Sequence, residues 1–391
     1  MLVLIAPSRG ELERVQGRAA TARSLTPGLK RRARRTDRAL WRSAMRRRST
    51  ARFGGALGLL LTLGVASASL ATRGGDPAAD VRRALEGYRK PAAVPHPADN
   101  ATSPLRVELG RALFFDPRLS RSGITSCATC HNPSLEWGDG LALGVGAGMK
   151  QLKRRTPTIL NVAWAELLFW DGRAETLEEQ ALGPIQSPDE MNMDLHDMVQ
   201  AVGGIHGYRA LFAEAYPGEG VTKETVAKAL AVFERTVISP QAPFDRWVDG
   251  DESALSAAAK RGFQLFDGKA NCSACHAGWR FTDDSFHDVG VRGDDLGRGA
   301  LFEETPLLQH AFKTPTLRNV ERRAPYMHNG SEASLALVIE LYDRGGRVHR
   351  ASLSEEIRPL KLTQAERSDL LAFLTSLTSV SAPTPVPVLP R

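Results

Sequence analysis

Two stretches of this chain repeat one arrangement of thiols and imidazole, Cys127-Ala-Thr-Cys130-His131 and Cys272-Ser-Ala-Cys275-His276. Two thiols at this spacing can add across the two vinyl groups of one porphyrin, and a histidine directly after the second thiol is then held under the iron as an axial ligand. The pattern predicts two covalently attached haem c groups. A zinc site is the competing reading of a repeated Cys-x-x-Cys pair, but structural zinc does not require a histidine after each second cysteine. All four cysteines belong to the two motifs, so no thiol is left for a disulfide.

The segments around the motifs have helical punctuation. Leu105, Leu109, Ala112 and Leu113 recur at helical spacing ahead of the first motif, and Leu255, Ala258, Gly262, Phe263 and Phe266 do so ahead of the second. Thr363-Gln-Ala-Glu366 has the form of a capping box opening a last helix that runs to Leu377. Strand signals are sparse. The expected fold is all-α, with two tandem cytochrome c-type domains that each carry one haem.

An internal repeat supports the duplication. Thr156-Pro-Thr-Ile-Leu-Asn-Val162 matches Thr314-Pro-Thr-Leu-Arg-Asn-Val320, and at equal distance downstream Trp170-Asp-Gly-Arg-Ala-Glu-Thr-Leu177 matches His328-Asn-Gly-Ser-Glu-Ala-Ser-Leu335. The boundary between halves is expected near Asp249 to Ser253. The expected domains are a leader over 1–72, a linker over 73–103 with a short helix near Val81 to Tyr88, a first haem domain over 104–250, a second over 251–380, and a disordered proline-rich tail over 381–391.

The chain has 391 residues, 42% of them hydrophobic, and a formal net charge of +7. That charge belongs to the leader: residues 1–52 hold fifteen Lys or Arg against three Asp or Glu, so the remainder is acidic. Arg46, Arg47, Arg48 and Arg52 precede an apolar run from Phe53 to Ala71 that ends in small residues, the order of a secretory signal. Met45 begins an n-region of ordinary length and is the expected start. An uncleaved membrane anchor and a nucleic-acid-binding arm are the alternatives. Haem attached by thioethers is assembled outside the bacterial inner membrane, so the expected location is periplasmic.

Matched positions in the two halves differ in a telling way. Pro184 and Tyr342 are counterparts in the repeat; a proline side chain cannot bind a metal, whereas a tyrosine phenolate can ligate ferric haem. The first haem is therefore expected to be open and the second capped. An open iron suits peroxide, whose O–O cleavage also needs a proton-transferring group. Glu190 lies just downstream of Pro184 and Gln180 just upstream, although a glutamate in a loop is more often simply solvated.

The stretch Gly110 to Ser120, the first haem motif, Thr156-Pro-Thr158, Phe169-Trp-Asp-Gly-Arg173, Leu177 to Ile185 and Ala324-Pro-Tyr-Met-His-Asn-Gly330 together resemble the bacterial di-haem cytochrome c peroxidase superfamily, MauG-like branch. The resemblance covers 104 to about 378. It implies that His131 is proximal to a peroxidatic haem and that Glu190 is the acid/base residue with Gln180 beside it. It further implies that Trp170 bridges the haems, that His276 is proximal to an electron-transfer haem, and that Tyr342 ligates that second iron, with Met327 as competitor. Many family peroxidases carry a ligating loop histidine where this chain has Ala147, so no reductive activation is expected; Met149 is the nearest substitute ligand. Arg155 stands where the family's interhaem calcium site uses an asparagine, which counts against calcium. Ala270 replaces a tryptophan that lies in MauG on the route to its protein substrate. His328 is expected to be structural or to bond a propionate, and His196, His206, His287, His310 and His349 carry no spacing signal.

The leading expectation is a peroxidase reducing hydrogen peroxide to water with electrons from a small c-type cytochrome or cupredoxin. A MauG-like oxidase of an organic or protein substrate is the alternative, and a non-enzymatic di-haem electron carrier the third. No nucleic-acid partner is expected; a homodimer is left open.

Overall fold

The computed structural model describes residues 85–391, and helices dominate them. The first half is built from α1 (Pro104–Phe115), α2 (Cys127–Cys130), α3 (Leu177–Gln186), α4 (Leu195–Gly204), α5 (His206–Ala215) and α6 (Lys223–Glu234). The second contains α7 (Pro243–Val248), α8 (Ala257–Asp267), α9 (Leu335–Asp343) and α10 (Gln364–Thr375). One antiparallel ribbon pairs β1 (Phe286–His287) with β2 (Phe312–Lys313). The all-α expectation holds with this small exception.

Local chemistry starts the helices where the sequence indicates. Ser103 caps α1 by accepting from the Arg106 amide, with Pro104 in the first turn, where a missing N–H costs nothing. The capping box at Thr363 and Glu366 opens α10 as expected. Thr176 and Ser334 cap α3 and α9 at matching positions of the repeat.

Each half is organised around one helix crossing, α1 over α6 and α8 over α10. A methyl group on Gly110 would lie 2.0 Å from the Ala229 carbonyl oxygen, and one on Gly262 would lie 2.0 Å from that of Asp369. Only a residue without Cβ permits this approach. Phe233 and Phe373 pack at the same point of the two crossings. Leu109, Leu113, Phe114, Tyr208, Phe212 and Phe233 fill the first core; Phe244, Phe263, Phe266, Phe281 and Phe373 fill the second.

Two expected segments need correction. The linker over 73–103 is not free where it is described: Tyr88 is buried among Phe244, Phe263 and Phe281, Lys90 donates to the carbonyl oxygens of Ser239 and Pro240, and Asn100 donates to Glu178. Only the end of the helix expected near Val81 to Tyr88 falls within the described residues. Phe244, Trp247 and Val248 pack in the second core, so the hydrophobic cores divide between Val237 and Phe244. The tail over 381–391 returns to the first half, where Arg118 donates to the Pro390 carbonyl at 2.9 Å and the Gly207 amide to that of Arg391 at 2.8 Å. Prolines lack donors but keep their carbonyls, and the Pro390 carbonyl makes one of these two contacts.

Candidate functional site

Both motif histidines are oriented by the same device. His131 Nδ1 lies 3.1 Å from the Trp137 carbonyl oxygen, and His276 Nδ1 lies 2.8 Å from that of Phe281. A main-chain acceptor on Nδ1 leaves the Nε2 lone pair for a metal. Burial holds both imidazoles below the usual histidine pKa, hence neutral, as iron ligation requires. Trp137 and Phe281 present their carbonyls from left-handed backbone, φ 61° and 55°. One residue earlier, Thr158 Oγ1 donates to the Glu136 carbonyl at 2.7 Å, and Thr316 Oγ1 to that of Arg280 at 2.6 Å. The last threonine of each Thr-Pro-Thr thus anchors the loop behind its motif histidine, which gives the repeat a physical purpose.

A cavity beside the second motif is lined by Cys272, Cys275, His276, Met327 and Tyr342 together with apolar walls that include Phe266, Leu370 and Leu374. Paired thiols, a neutral histidine with a free Nε2 and an apolar cavity are the donor set that haem c requires. These residues fit the group.

At the first motif, the loop after Cys130 and the segment carrying Glu190 are pressed together. The Ala147 amide donates to the Asp189 carbonyl at 3.0 Å, and a methyl on Gly146 would lie 1.9 Å from that same oxygen. Lys150 pairs with the Asp189 carboxylate. The Glu190 carboxyl is half-buried, and burial raises its pKa against the Ser187 hydroxyl and Arg173, which pull it down; Asp189 adds to the rise. Its charge is felt at Cys130. Gln180 is half-buried on α3, the helix in which Pro184 also sits. Met149, the nearest substitute ligand in the sequence, is 83% exposed.

Trp170 lies at the seam between halves. Its indole Nε1 donates to the Arg155 carbonyl, and its own carbonyl accepts from Lys313 of β2. Arg154 crosses the seam, bonded to Asp171 at 2.7 Å and to Asp295 at 2.6 and 2.8 Å. Asn319 donates to the Glu136 carboxylate at 2.6 Å. His328 is buried, stacks on Phe312 with ring centroids 3.6 Å apart, and is pushed down to about 4 by burial, so it is a neutral packing residue. Arg155 is buried, its Nη2 donating to the Arg323 carbonyl at 2.6 Å.

Tyr342 and Met327 both line the second cavity, so the structure brings the two competing ligands together. Burial raises the Tyr342 phenol pKa, and the neighbouring Cys272 and Cys275 side chains add to the rise. Ala270 is buried in the second core beside Cys272. Sequence reasoning missed His287: its Nε2 lies 2.8 Å from Asp283, it lines the cavity, and Asp283 together with Cys275 raises it to about 10. His310 lines the cavity too, with Nδ1 2.9 Å from the Asp295 carbonyl. Neither has a sequence signal, because each is delivered by the β1–β2 ribbon and its flanks.

The family model for di-haem cytochrome c peroxidase matches residues 104–253, and that for cytochrome c matches 259–378. The chain is 50% identical to "Methylamine utilization protein MauG" of Methylorubrum extorquens over 86% of this chain and 95% of that protein. It is 36% identical to "Cytochrome c551 peroxidase" of Pseudomonas aeruginosa over 72% of this chain and 81% of that one. A crystal structure of a MauG-like protein associated with microbial copper homeostasis superposes with TM-score 0.69 at 32% identity, over 74% of this chain and 94% of that one. Two haem c groups and an oxidoreductase chemistry with peroxide as electron acceptor accord with both motif geometries, and the chain belongs to the di-haem cytochrome c peroxidase family.

Proposed function

We propose that peroxide is reduced at the haem on His131 while electrons enter through the haem on His276. The observation that carries this division is the pair Pro184 and Tyr342, each the eighth residue of its helix, α3 and α9. Proline offers no atom to a metal and tyrosine offers a phenolate oxygen. When bound, the haems supply the electron exchange that breaks the O–O bond. Glu190 takes a proton from one peroxide oxygen and returns it to the other, and the upward shift of its carboxyl moves it toward that task. Gln180 orients the peroxide from α3. Trp170, bonded to both halves, relays the electrons. Hydrogen peroxide, two electrons and two protons give two waters.

The electron donor in this reading is a small c-type cytochrome or cupredoxin met in the periplasm, after export by the leader. Residues 53–71 of that leader lie outside the described residues. Ala147 in the loop removes the need for reductive activation. Calcium is not required at the seam: the Arg155 guanidinium donates to the Arg323 carbonyl, and the neighbouring Arg323 guanidinium, pushed down to about 10 by burial and by Arg155, makes the place unfavourable for a further cation.

Tyr342, with the similarity to MauG, favours a second reading, in which an organic or protein substrate is the reductant. Ala270 removes a tryptophan from the route by which a large protein would be oxidised. Electron paramagnetic resonance of the oxidised holoprotein tests the common part: one high-spin and one low-spin ferric signal are expected, and two low-spin signals would sink the open site. Turnover with reduced cytochrome c against other reductants then separates the two readings.

A further inference from the structure

A second buried acid stands at the first haem motif, on an element the reaction above does not use. Glu234 ends α6, is 6% exposed, and its Oε2 has no hydrogen-bond partner. Burial pushes its carboxyl up to about 8, and its charge is felt at Cys127, the thiol that attaches the porphyrin. The repeat shows what it faces. Gly110 contacts Ala229 and Phe233 as Gly262 contacts Asp369 and Phe373, and Ser239 bonds Asn161 as Ser379 bonds Asn319. In that register Glu234 matches Leu374, which lines the cavity of the second haem. An ionisable group therefore replaces a leucine in the wall of the first haem site.

Burial outweighs the charged groups around it: Arg235 pulls the Glu234 carboxyl down and Glu178 pushes it up. Arg235, next in the chain, forks onto the Glu178 carboxylate of α3 at 2.8 and 3.0 Å. On α1, Arg106 donates to the Ala215 carbonyl and Arg111 pairs with Glu108. On α4, Asp197 pairs with Arg121. A carboxyl buried without a hydrogen-bonded ion-pair partner holds its proton, unless further positive charge arises nearby.

We propose that Glu234 couples a proton to the oxidation state of the first haem, setting its potential. With haem bound, its one-electron oxidation from ferrous to ferric by the electrode or mediator of a redox titration would be accompanied by breaking of the Glu234 O–H bond and release of that proton to solvent, and reduction would reverse both. The inference rests on the first motif carrying haem, which a haem count checks separately. It does not depend on Glu190 or on the identity of the reductant.

The test is a spectroelectrochemical titration of the holoprotein between pH 6 and 9. The midpoint of the first haem should fall as pH rises, by at most about 59 mV for each tenfold fall in proton concentration. In Glu234→Gln, which keeps the shape, and in Glu234→Leu, which copies the second half, that dependence should vanish. Should one variant fail to load two haems per chain, the other decides. A flat wild-type profile, or a wild-type slope retained in the variant that loads, overturns the proposal.

Discussion

The Trp170 indole donates to the Arg155 carbonyl at 2.8 Å, while the Trp170 carbonyl accepts the Lys313 amide at 2.8 Å, so one residue is bonded to both haem domains. Trp170→Phe keeps the aromatic volume and removes the indole bond. We expect electron transfer between the haems to slow by at least tenfold in stopped-flow traces, with peroxide binding to the oxidised protein unchanged. Equal transfer rates would remove Trp170 from the path.

Glu190→Gln should slow peroxide turnover by about 100-fold or more, the usual contribution of a positioned proton-transfer group. Because burial raises the Glu190 carboxyl, the wild-type rate should fall on the acid side at a pH above the ordinary carboxylate range, as the base becomes protonated. The variant should lose that limb, which a pH–rate profile reads directly.

Gly146→Ala tests how Glu190 is held. A methyl would collide with the Asp189 carbonyl and push the Glu190 segment away from the loop after Cys130. We expect turnover to fall while the second haem keeps its spectrum; a wild-type rate would show that this contact does not position the acid.

Gly110→Ala and Gly262→Ala each force apart a helix crossing, at a cost of about 2–3 kcal/mol. Thermal melts should show a loss for either variant, and haem content should drop chiefly at the motif of the altered half. A neutral result at either glycine would mean that the crossing is looser than its geometry.

Chelation should leave the holoprotein's spectra and melting temperature unchanged, because Arg155 already supplies positive charge at the seam. Arg155→Asn removes that charge and should make the melting temperature respond to added calcium. A drop in wild-type stability on chelation would contradict the assignment.

The sequence alone determined the two haem attachments, the helices that lead to them and the duplication, because these follow from covalent spacing, helical periodicity and residue matches along the chain. The contrast of Pro184 with Tyr342 was legible for the same reason: a repeat aligns positions without any need of coordinates. Only the tertiary structure decided that Thr158 and Thr316 anchor the loops behind the motif histidines, and that His287 and His310 reach the second cavity. It alone placed Tyr88 in the second core, returned the tail to Arg118 and Gly207, and left Glu234 buried with Oε2 unbonded. These are contacts between residues far apart in the chain, made by irregular segments that have no periodicity to read; desolvation and charge pairing, which raise the Glu190 and Glu234 carboxyls, exist only once the folded chain has excluded water from them.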